Sequence, residues 1–268
     1  MAKVFQVRKI TVDEGKLRQL GRRKDTLIFV RDNYLRRFLK GKVIPTLKQP
    51  GDYTDVRGVV LHFVEKSTKH LGAAILLCSQ SYPEDALIIG RAIMELCFYT
   101  QYIAVSTTSA ERDQRASNFI YDAERQRGTR RAALKALHAQ GKCVEWVDDM
   151  DSIGEFVAPP DMPPGFVQPP TLKAIAEKLG GEWECQYNTL YWSVSKLAHP
   201  SALGAHSYVG DADIESEIGS SINLAFSMHA RLMQAALFLL DNDSFSTALE
   251  GHMAKFIELA NLETGFQS

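Results

Sequence analysis

Charged and aromatic side chains recur at helical spacing after Pro83. Their successive intervals are 7, 4, 4 and 3 residues, which places them on one stripe of an α-helix. In chain order they are Glu84, Arg91, Glu95, Tyr99 and Tyr102. Because most of this helix is apolar, a buried arginine and glutamate on it need partners. Two interpretations stay open: an anion-recognising Arg91 held by Glu95, or a structural i, i+4 pair that fixes the helix register.

A second polar series repeats every four residues further along the chain. It consists of Tyr187, Tyr191, Ser195 and His199, and Ser201 and His206 follow it. A tyrosine stripe that packs while its hydroxyls reach water is one explanation, and a polar pocket is the other. Since a polar stripe on an apolar helix requires water or a partner, we expect the two stripes to converge on one cavity.

The residues that we expect to bind a ligand in this cavity come from both stripes. They are Glu84, Arg91, Glu95, Tyr102, Tyr191, Ser195, His199 and His206. If the protein is an enzyme, Arg91 and His199 are the candidate catalytic residues. Guanidinium matches a phosphate bidentately, and a histidine with a pKa near 6.5 suits general acid or base work. Tyr191 and Ser195 would then orient the histidine, and RNA would be the substrate.

Other chemistries lack their motifs. The sequence contains no Glu-x-x-His pair of a di-iron bundle, no His-Glu-x-x-His zinc motif and no phosphate-binding Gly-x-x-x-x-Gly-Lys loop. The acidic residues of 211–217 are better explained as the first turn of the helix that follows. We therefore expect no metal and no cofactor.

Several motifs together resemble a known family. They are Tyr82-x-Glu84-Asp85-Ala86, Arg91-x-x-x-Glu95, Arg115-Ala116-x-x-Phe119 and Tyr191-x-x-x-Ser195-x-x-x-His199-Pro200. In this order they resemble the bacterial helical proteins of domain-of-unknown-function family 5677, over about residues 55–210. The resemblance implies a helical bundle and supplies no established activity.

Such proteins are also broadly similar to the HEPN group. Its ribonuclease members carry Arg and His four to six residues apart. The present chain has two stretches of this kind, which begin at Arg57 and Arg131. Chance alone gives about as many such Arg–His pairs in a chain of this composition, so the two stretches do not support a ribonuclease. A metal-independent ribonuclease of toxin or defence type stays an alternative function.

The elements that carry these residues are all predicted to be helices. We expect one helix to end near Cys78, the next to begin near Pro83, and a third to run from Ser109 towards His138. Later helices are predicted over Thr171–Leu179, Glu184–Leu197, Ile214–Leu240 and Phe245–Ala260. No alternating strand pattern is present, so the sequence predicts an all-α multi-helix bundle.

The chain divides at residue 50 by charge. Residues 1–48 hold 14 Lys and Arg against 4 Asp and Glu, which predicts a basic N-terminal arm over 1–50 and a bundle domain over 51–268. Within the arm, Thr26–Lys40 is a basic amphipathic helix, and Pro45 and Pro50 close it. Its partner is either a phosphate or anionic lipid, or the acidic body of its own chain or a second subunit.

Six of the ten prolines mark a linker at 158–170.

Composition excludes several classes for the whole molecule. A net charge of −1 argues against a uniformly basic nucleic-acid coat. No apolar run reaches the roughly 20 residues of a membrane helix, and the start lacks the apolar core of a signal peptide. We expect a cytoplasmic homo-oligomer without a membrane partner. An interaction or sensor protein that binds an anionic ligand is favoured over an enzyme that acts on RNA.

Overall fold

The computed structural model describes residues 23–52, 54–141, 165–191, 194–195 and 214–264. All regular secondary structure in these ranges is helical, which confirms the predicted all-α fold. No helix in these ranges combines the length and the apolar character needed to cross a bilayer. Part of the predicted linker, 158–164, lies outside the described residues.

Eight helices, α1 to α8, follow one another in the described ranges. They are α1 (residues 23–47), α2 (Asp55–Ser79), α3 (Pro83–Ala104), α4 (Ser109–Ala139), α5 (Leu172–Leu179), α6 (Gly181–Gln186), α7 (Ile214–Leu239) and α8 (Ser246–Thr264). A π-helical turn, Tyr187–Tyr191, continues α6, and a 3₁₀ turn, Asp243–Phe245, precedes α8.

Most helix boundaries follow from capping residues and prolines. The predicted break between α2 and α3 is confirmed, with Pro83 in the first turn of α3. The Thr171 hydroxyl accepts a hydrogen bond from the Ala174 N–H at 3.3 Å and so caps α5. Pro45 lies in the last turns of the continuous helix α1, which ends at Leu47, three residues before Pro50.

Helix α1 packs its apolar face into the core of its own chain. Its segment Phe29–Val43 is π-helical, and i→i+5 hydrogen bonds bring residues five apart onto one face. Phe29, Tyr34 and Leu39 have this spacing, and all three are buried. At the end of α1, the Arg57 guanidinium of α2 donates to the carbonyls of Leu47 and Gln49, both at 2.8 Å.

The centre of the bundle is α7, which packs against α2 and α3. Gly90 of α3 lies where a Cβ atom would come within 3.2 Å of the Leu224 side chain of α7. The two helices therefore approach closely at this glycine.

An aromatic cluster joins α7 to α8 and α1. The Phe226 ring of α7 stacks on Phe256 of α8 with centroids 4.0 Å apart. Tyr34 of α1 completes this aromatic cluster, with its ring 4.8 Å from that of Phe226.

One fully buried histidine, His229 of α7, joins three helices. Its Nδ1 lies 3.0 Å from the Tyr34 hydroxyl of α1, and its Nε2 lies 3.2 Å from the Thr68 hydroxyl of α2. Thr68 donates its own hydrogen to the Val64 carbonyl at 2.6 Å, so it accepts from Nε2–H. Nδ1 then accepts from Tyr34. A neutral ring thus satisfies every polar atom of the cluster, and burial lowers the pKa of His229 to about 3.

Candidate functional site

Arg91 and Glu95 of α3 meet Tyr191, which lies 100 residues beyond Arg91, in one polar cluster. The Arg91 Nη2 donates to the Tyr191 hydroxyl at 2.9 Å, and this hydroxyl donates to Glu95 Oε1 at 3.0 Å. Arg91 Nη2 also lies 3.2 Å from Glu95 Oε1. The guanidinium carbon is 4.8 Å from the centroid of the Tyr191 ring. We call these three residues the Arg91 cluster.

Tyr191 keeps its proton in this cluster. Burial is the main cause that raises its pKa, while the hydrogen bond from Arg91 opposes the shift and the charge of Glu95 adds to it. A neutral phenol can accept from Arg91 and donate to Glu95 at the same time. The same conclusion holds for the adjacent Tyr99, whose pKa is raised first by burial and then by Glu95, Tyr191 and Asp122.

The Arg91 cluster is half-buried and incompletely satisfied. The side chains of Arg91 and Glu95 are 23% and 33% exposed, so solvent reaches part of the ion pair. Arg91 Nε, however, is buried and has no hydrogen-bond acceptor among the described residues. Its Nη2 carries the contacts to both Tyr191 and Glu95. An arginine with a spare buried donor is therefore fixed at the junction of α3 and the turn Tyr187–Tyr191.

Aromatic packing positions Tyr191 from behind. The Tyr187 ring stacks on it with centroids 5.1 Å apart and planes inclined by 16°. The π-helical turn Tyr187–Tyr191 continues α6, and this geometry differs from the regular α-helix that was predicted from Glu184. The observed helix begins three residues earlier, at Gly181.

The other predicted site residues lie in different places. Ser195 is near Tyr191, but its hydroxyl donates to the Tyr191 carbonyl at 2.6 Å. Glu84 lies in the first turn of α3, about 10 Å along the axis from Arg91 at 1.5 Å per residue. It has no ion pair within the described part of the chain. His199 and His206 lie outside the described residues, so their predicted roles stay predictions.

Tyr102 belongs to a separate cluster at the end of α3. The Arg115 guanidinium of α4 lies 4.2 Å from the centroid of its ring, and Lys178 Nζ of α5 lies 5.3 Å from it. Arg115 is buried and donates to the Tyr102 carbonyl and to Glu111. A cavity of about 190 Å³ adjoins these residues. Tyr102 itself lies about three helical turns along α3 from Arg91. Tyr102 and the Arg91 cluster therefore do not share a contact.

Sequence reasoning missed a second arginine that ties α7 to α6. Arg231 donates to both carboxylate oxygens of Glu182, at 2.8 and 3.1 Å, and lies 5.3 Å from the centroid of the Trp183 ring. Each of its two terminal nitrogens thus donates to one carboxylate oxygen of a single partner, whereas in Arg91 the contacts to Tyr191 and Glu95 both come from Nη2. The signal was an arginine in an otherwise apolar helix, which requires an acidic partner nearby.

Comparison with known families places the chain in one of them. The family model of DUF5677, a family of unknown function, matches residues 57–216, and the chain belongs to this family. The matched residues include Arg91, Glu95, Tyr191 and His199, but neither α1 nor α8. A search of curated proteins and a search of solved structures found no match.

Among the described residues, no three His, Cys, Asp or Glu side chains lie together as metal ligands. The described side chains of the Arg91 cluster supply a guanidinium, a carboxylate and a neutral phenol. The guanidinium of such a set can bind an anion through charge-assisted hydrogen bonds, and the carboxylate and the phenol can orient hydroxyl groups that the anion carries.

Proposed function

We propose that the chain is a helical-bundle sensor or interaction protein that binds a small anionic ligand at the Arg91 cluster. The observation that carries the proposal is the buried Arg91 Nε, which has no acceptor among the described residues. Buried donors without a partner are rare and cost about 1–3 kcal/mol. Because the Arg91 side chain as a whole is 23% exposed, a phosphate or carboxylate can approach the fork of the guanidinium, and a shift of this side chain towards the ligand would give Nε its missing acceptor.

Glu95 restricts the kind of anion that fits. Its Oε1 takes the contacts from Arg91 and Tyr191, while Oε2 has no hydrogen-bond partner in the described part of the chain. A ligand with only negative groups would be repelled by this carboxylate. A ligand that also carries a hydroxyl or amine could donate to Oε2. We therefore expect a small phosphate or carboxylate with at least one hydrogen-bond donor.

Thermal unfolding with glycerol 3-phosphate tests the proposal. Three controls accompany it. Inorganic phosphate tests the effect of the anion alone, glycerol tests the effect of the hydroxyl groups, and sodium chloride at equal ionic strength tests general salt effects. At ten times its Kd, glycerol 3-phosphate should stabilise the fold by about 1.4 kcal/mol. This corresponds to an increase in Tm of about 2–3 °C for a chain of this size. Arg91→Met should abolish the increase.

Arg231→Met is the matched control for this experiment. Arg231, like Arg91, links two parts of the bundle through a glutamate and an aromatic ring, but each of its terminal nitrogens donates to a carboxylate oxygen of Glu182. The Arg231→Met chain should keep the increase in Tm with glycerol 3-phosphate. Equal increases in the Arg91→Met and wild-type chains would contradict the proposal. No increase in wild type would leave the Arg91 cluster as an interhelical contact alone.

The ribonuclease alternative depends on His199, which lies outside the described residues, and no described contact favours it. It stays a prediction, as do the bacterial origin that the resemblance implies and the homo-oligomeric state and cytoplasmic location that we expect from the sequence.

A further inference from the structure

A groove of about 1170 Å³ lies between α1 and α2, on a surface that the Arg91 cluster does not reach. We call it the basic groove. Its floor is aliphatic and includes small residues of α2. The floor residues used below are Leu27, Ile28, Gly72, Ala73 and Leu76. Leu76 is 61% exposed and Ile28 is 36% exposed, so apolar surface on both helices faces solvent.

The rim of the basic groove is cationic on both sides. Lys24, Arg31, Arg36 and Lys40 line it from α1, and Lys69 lines it from α2. Asp32 pairs with Arg31 and Arg36 at 2.7 and 3.2 Å and offsets part of their charge.

Three rim lysines add positive charge to the groove. Within the described part of the chain, Lys24, Lys40 and Lys69 form no ion pair, and no carboxylate side chain lines the groove. The rim therefore attracts negative charge along both edges of an apolar floor.

The shape and lining of the basic groove narrow the choice of ligand. Its volume exceeds the roughly 300–1,000 Å³ of typical small-molecule pockets. From Lys69 to Ser79 it follows α2 for about 15 Å, or nearly three helical turns. No aromatic side chain of the described residues lines it, so it lacks the stacking platforms of single-stranded nucleic-acid sites. An apolar groove that runs along two helices suits a third helix, whose side chains can contact both.

We propose that the basic groove docks an acidic amphipathic helix of a partner protein. The apolar face of that helix would cover Leu76 and Ile28, and it would lie beside the small side chain of Ala73. Glutamates or aspartates on its two flanks would meet Lys24 and Lys40 on one side and Lys69 on the other. An apolar helix face laid into a hydrophobic groove is the helix-in-groove mode of recognition, and the flanking charge pairs would add specificity.

Fluorescence polarisation with the full chain tests the docking directly. The probe is a labelled, hydrocarbon-stapled peptide of about four helical turns, with leucines along one face and glutamates on both flanks. We expect saturable binding that weakens as salt is added. Two control peptides have the same length: one keeps the composition but scatters the leucines around the helix, and the other replaces every glutamate with lysine. Both should bind at least about tenfold more weakly.

Two charge reversals on α2 form a matched pair. Lys69→Glu changes the rim of the groove, and Lys66→Glu changes an exposed lysine on the same helix that does not line it. Lys69→Glu should weaken peptide binding by about tenfold or more, whereas Lys66→Glu should change it by less than about twofold. Leu76→Asp should also weaken binding about tenfold. Because all three positions are exposed, the thermal transition of each variant should stay close to that of wild type.

Several results would overturn the proposal. They are the absence of peptide binding to the wild-type chain, equal effects of the two lysine reversals, and equal binding of the scattered-leucine peptide. A short RNA that binds with the same variant pattern while the peptide does not would assign the groove to nucleic acid. A dimer in light scattering that Lys69→Glu dissociates, without peptide binding, would assign it to a second copy of this chain.

Discussion

A chain that begins at Gly51 is expected not to fold. It would lack α1, whose buried apolar side chains belong to the same core as those of α2, α3, α7 and α8. They are Phe29, Val30, Tyr34, Leu35, Phe38, Leu39, Val43 and Leu47. Burial of one such side chain stabilises a protein by about 1.5–3 kcal/mol, and a whole domain is stable by only about 5–15 kcal/mol.

The truncation would also leave buried polar groups without partners. His229 would lose the Tyr34 hydroxyl, and Arg57 would lose the carbonyls of Leu47 and Gln49. Far-UV circular dichroism and thermal unfolding should show loss of the cooperative transition, and size-exclusion chromatography should show aggregates.

A full-length chain with Arg36, Arg37 and Lys40 replaced by glutamine is the control for charge. These three side chains are exposed on α1, so the triple variant should unfold within a few degrees of wild type. If the chain from Gly51 melted cooperatively at the wild-type temperature, α1 would be an appended element and residue 50 would mark a domain boundary.

Helix boundaries could be predicted because they depend on local chemistry. Pro83 and Thr171 mark a start through a fixed φ or a capping oxygen, and the observed helices begin at or next to them. Helix α4 begins at the predicted Ser109, but its capping oxygen is that of Thr108, which accepts from the Glu111 N–H at 3.2 Å. The π-helical geometry of Phe29–Val43 could not be predicted. It changes which residues share a face, and it allows Tyr34 to reach the core histidine.

The candidate site, too, could be predicted from the sequence only in part. The pairing of Arg91 with Glu95 follows from their i, i+4 spacing, and Tyr191 was expected as a partner because both stripes need one. Tyr102 shares the angular stripe of Arg91, but eleven residues separate them by about 16 Å along α3. A stripe on a helix therefore predicts orientation better than it predicts a shared contact.

The partners of His229 illustrate what a sequence pattern omits. Tyr34 and Thr68 lie 195 and 161 residues away in the chain, and neither stands in a motif that names a histidine partner. The sequence indicates only that a histidine in an apolar helix must be hydrogen-bonded. Which hydroxyl groups supply those bonds depends on the packing of α1 and α2 against α7.

Acidification from pH 7 to pH 5 is expected to lower the free energy of unfolding by about 2 kcal/mol through His229 alone. Burial lowers its pKa to about 3 in the folded state, whereas the unfolded chain binds the proton near pH 6.5. Because the unfolded state takes up the proton first, stability falls as the pH decreases from 6.5 towards 3. Chemical denaturation at half-unit pH steps between 7 and 5 measures this dependence.

Two further histidines act in the same direction and define the controls. Burial is the main cause that lowers the pKa values of His70 and His252, with smaller contributions from Lys66 and Lys42. His229→Gln should therefore flatten the pH dependence only in part. His62→Gln, at an exposed position of α2, tests the effect of a histidine replacement as such and should keep the wild-type slope.

The imidazole itself gives a measurement that does not depend on a variant. At pH 5 an exposed histidine is mostly protonated, but the ¹⁵N chemical shifts of His229 should still be those of the neutral Nε2–H tautomer. This tautomer is required because Thr68 already donates to Val64 and can only accept from Nε2. A protonated His229 at pH 5 in the folded protein would mean that water or an anion reaches the ring. A slope in His229→Gln equal to that of wild type would place the acid sensitivity in other groups.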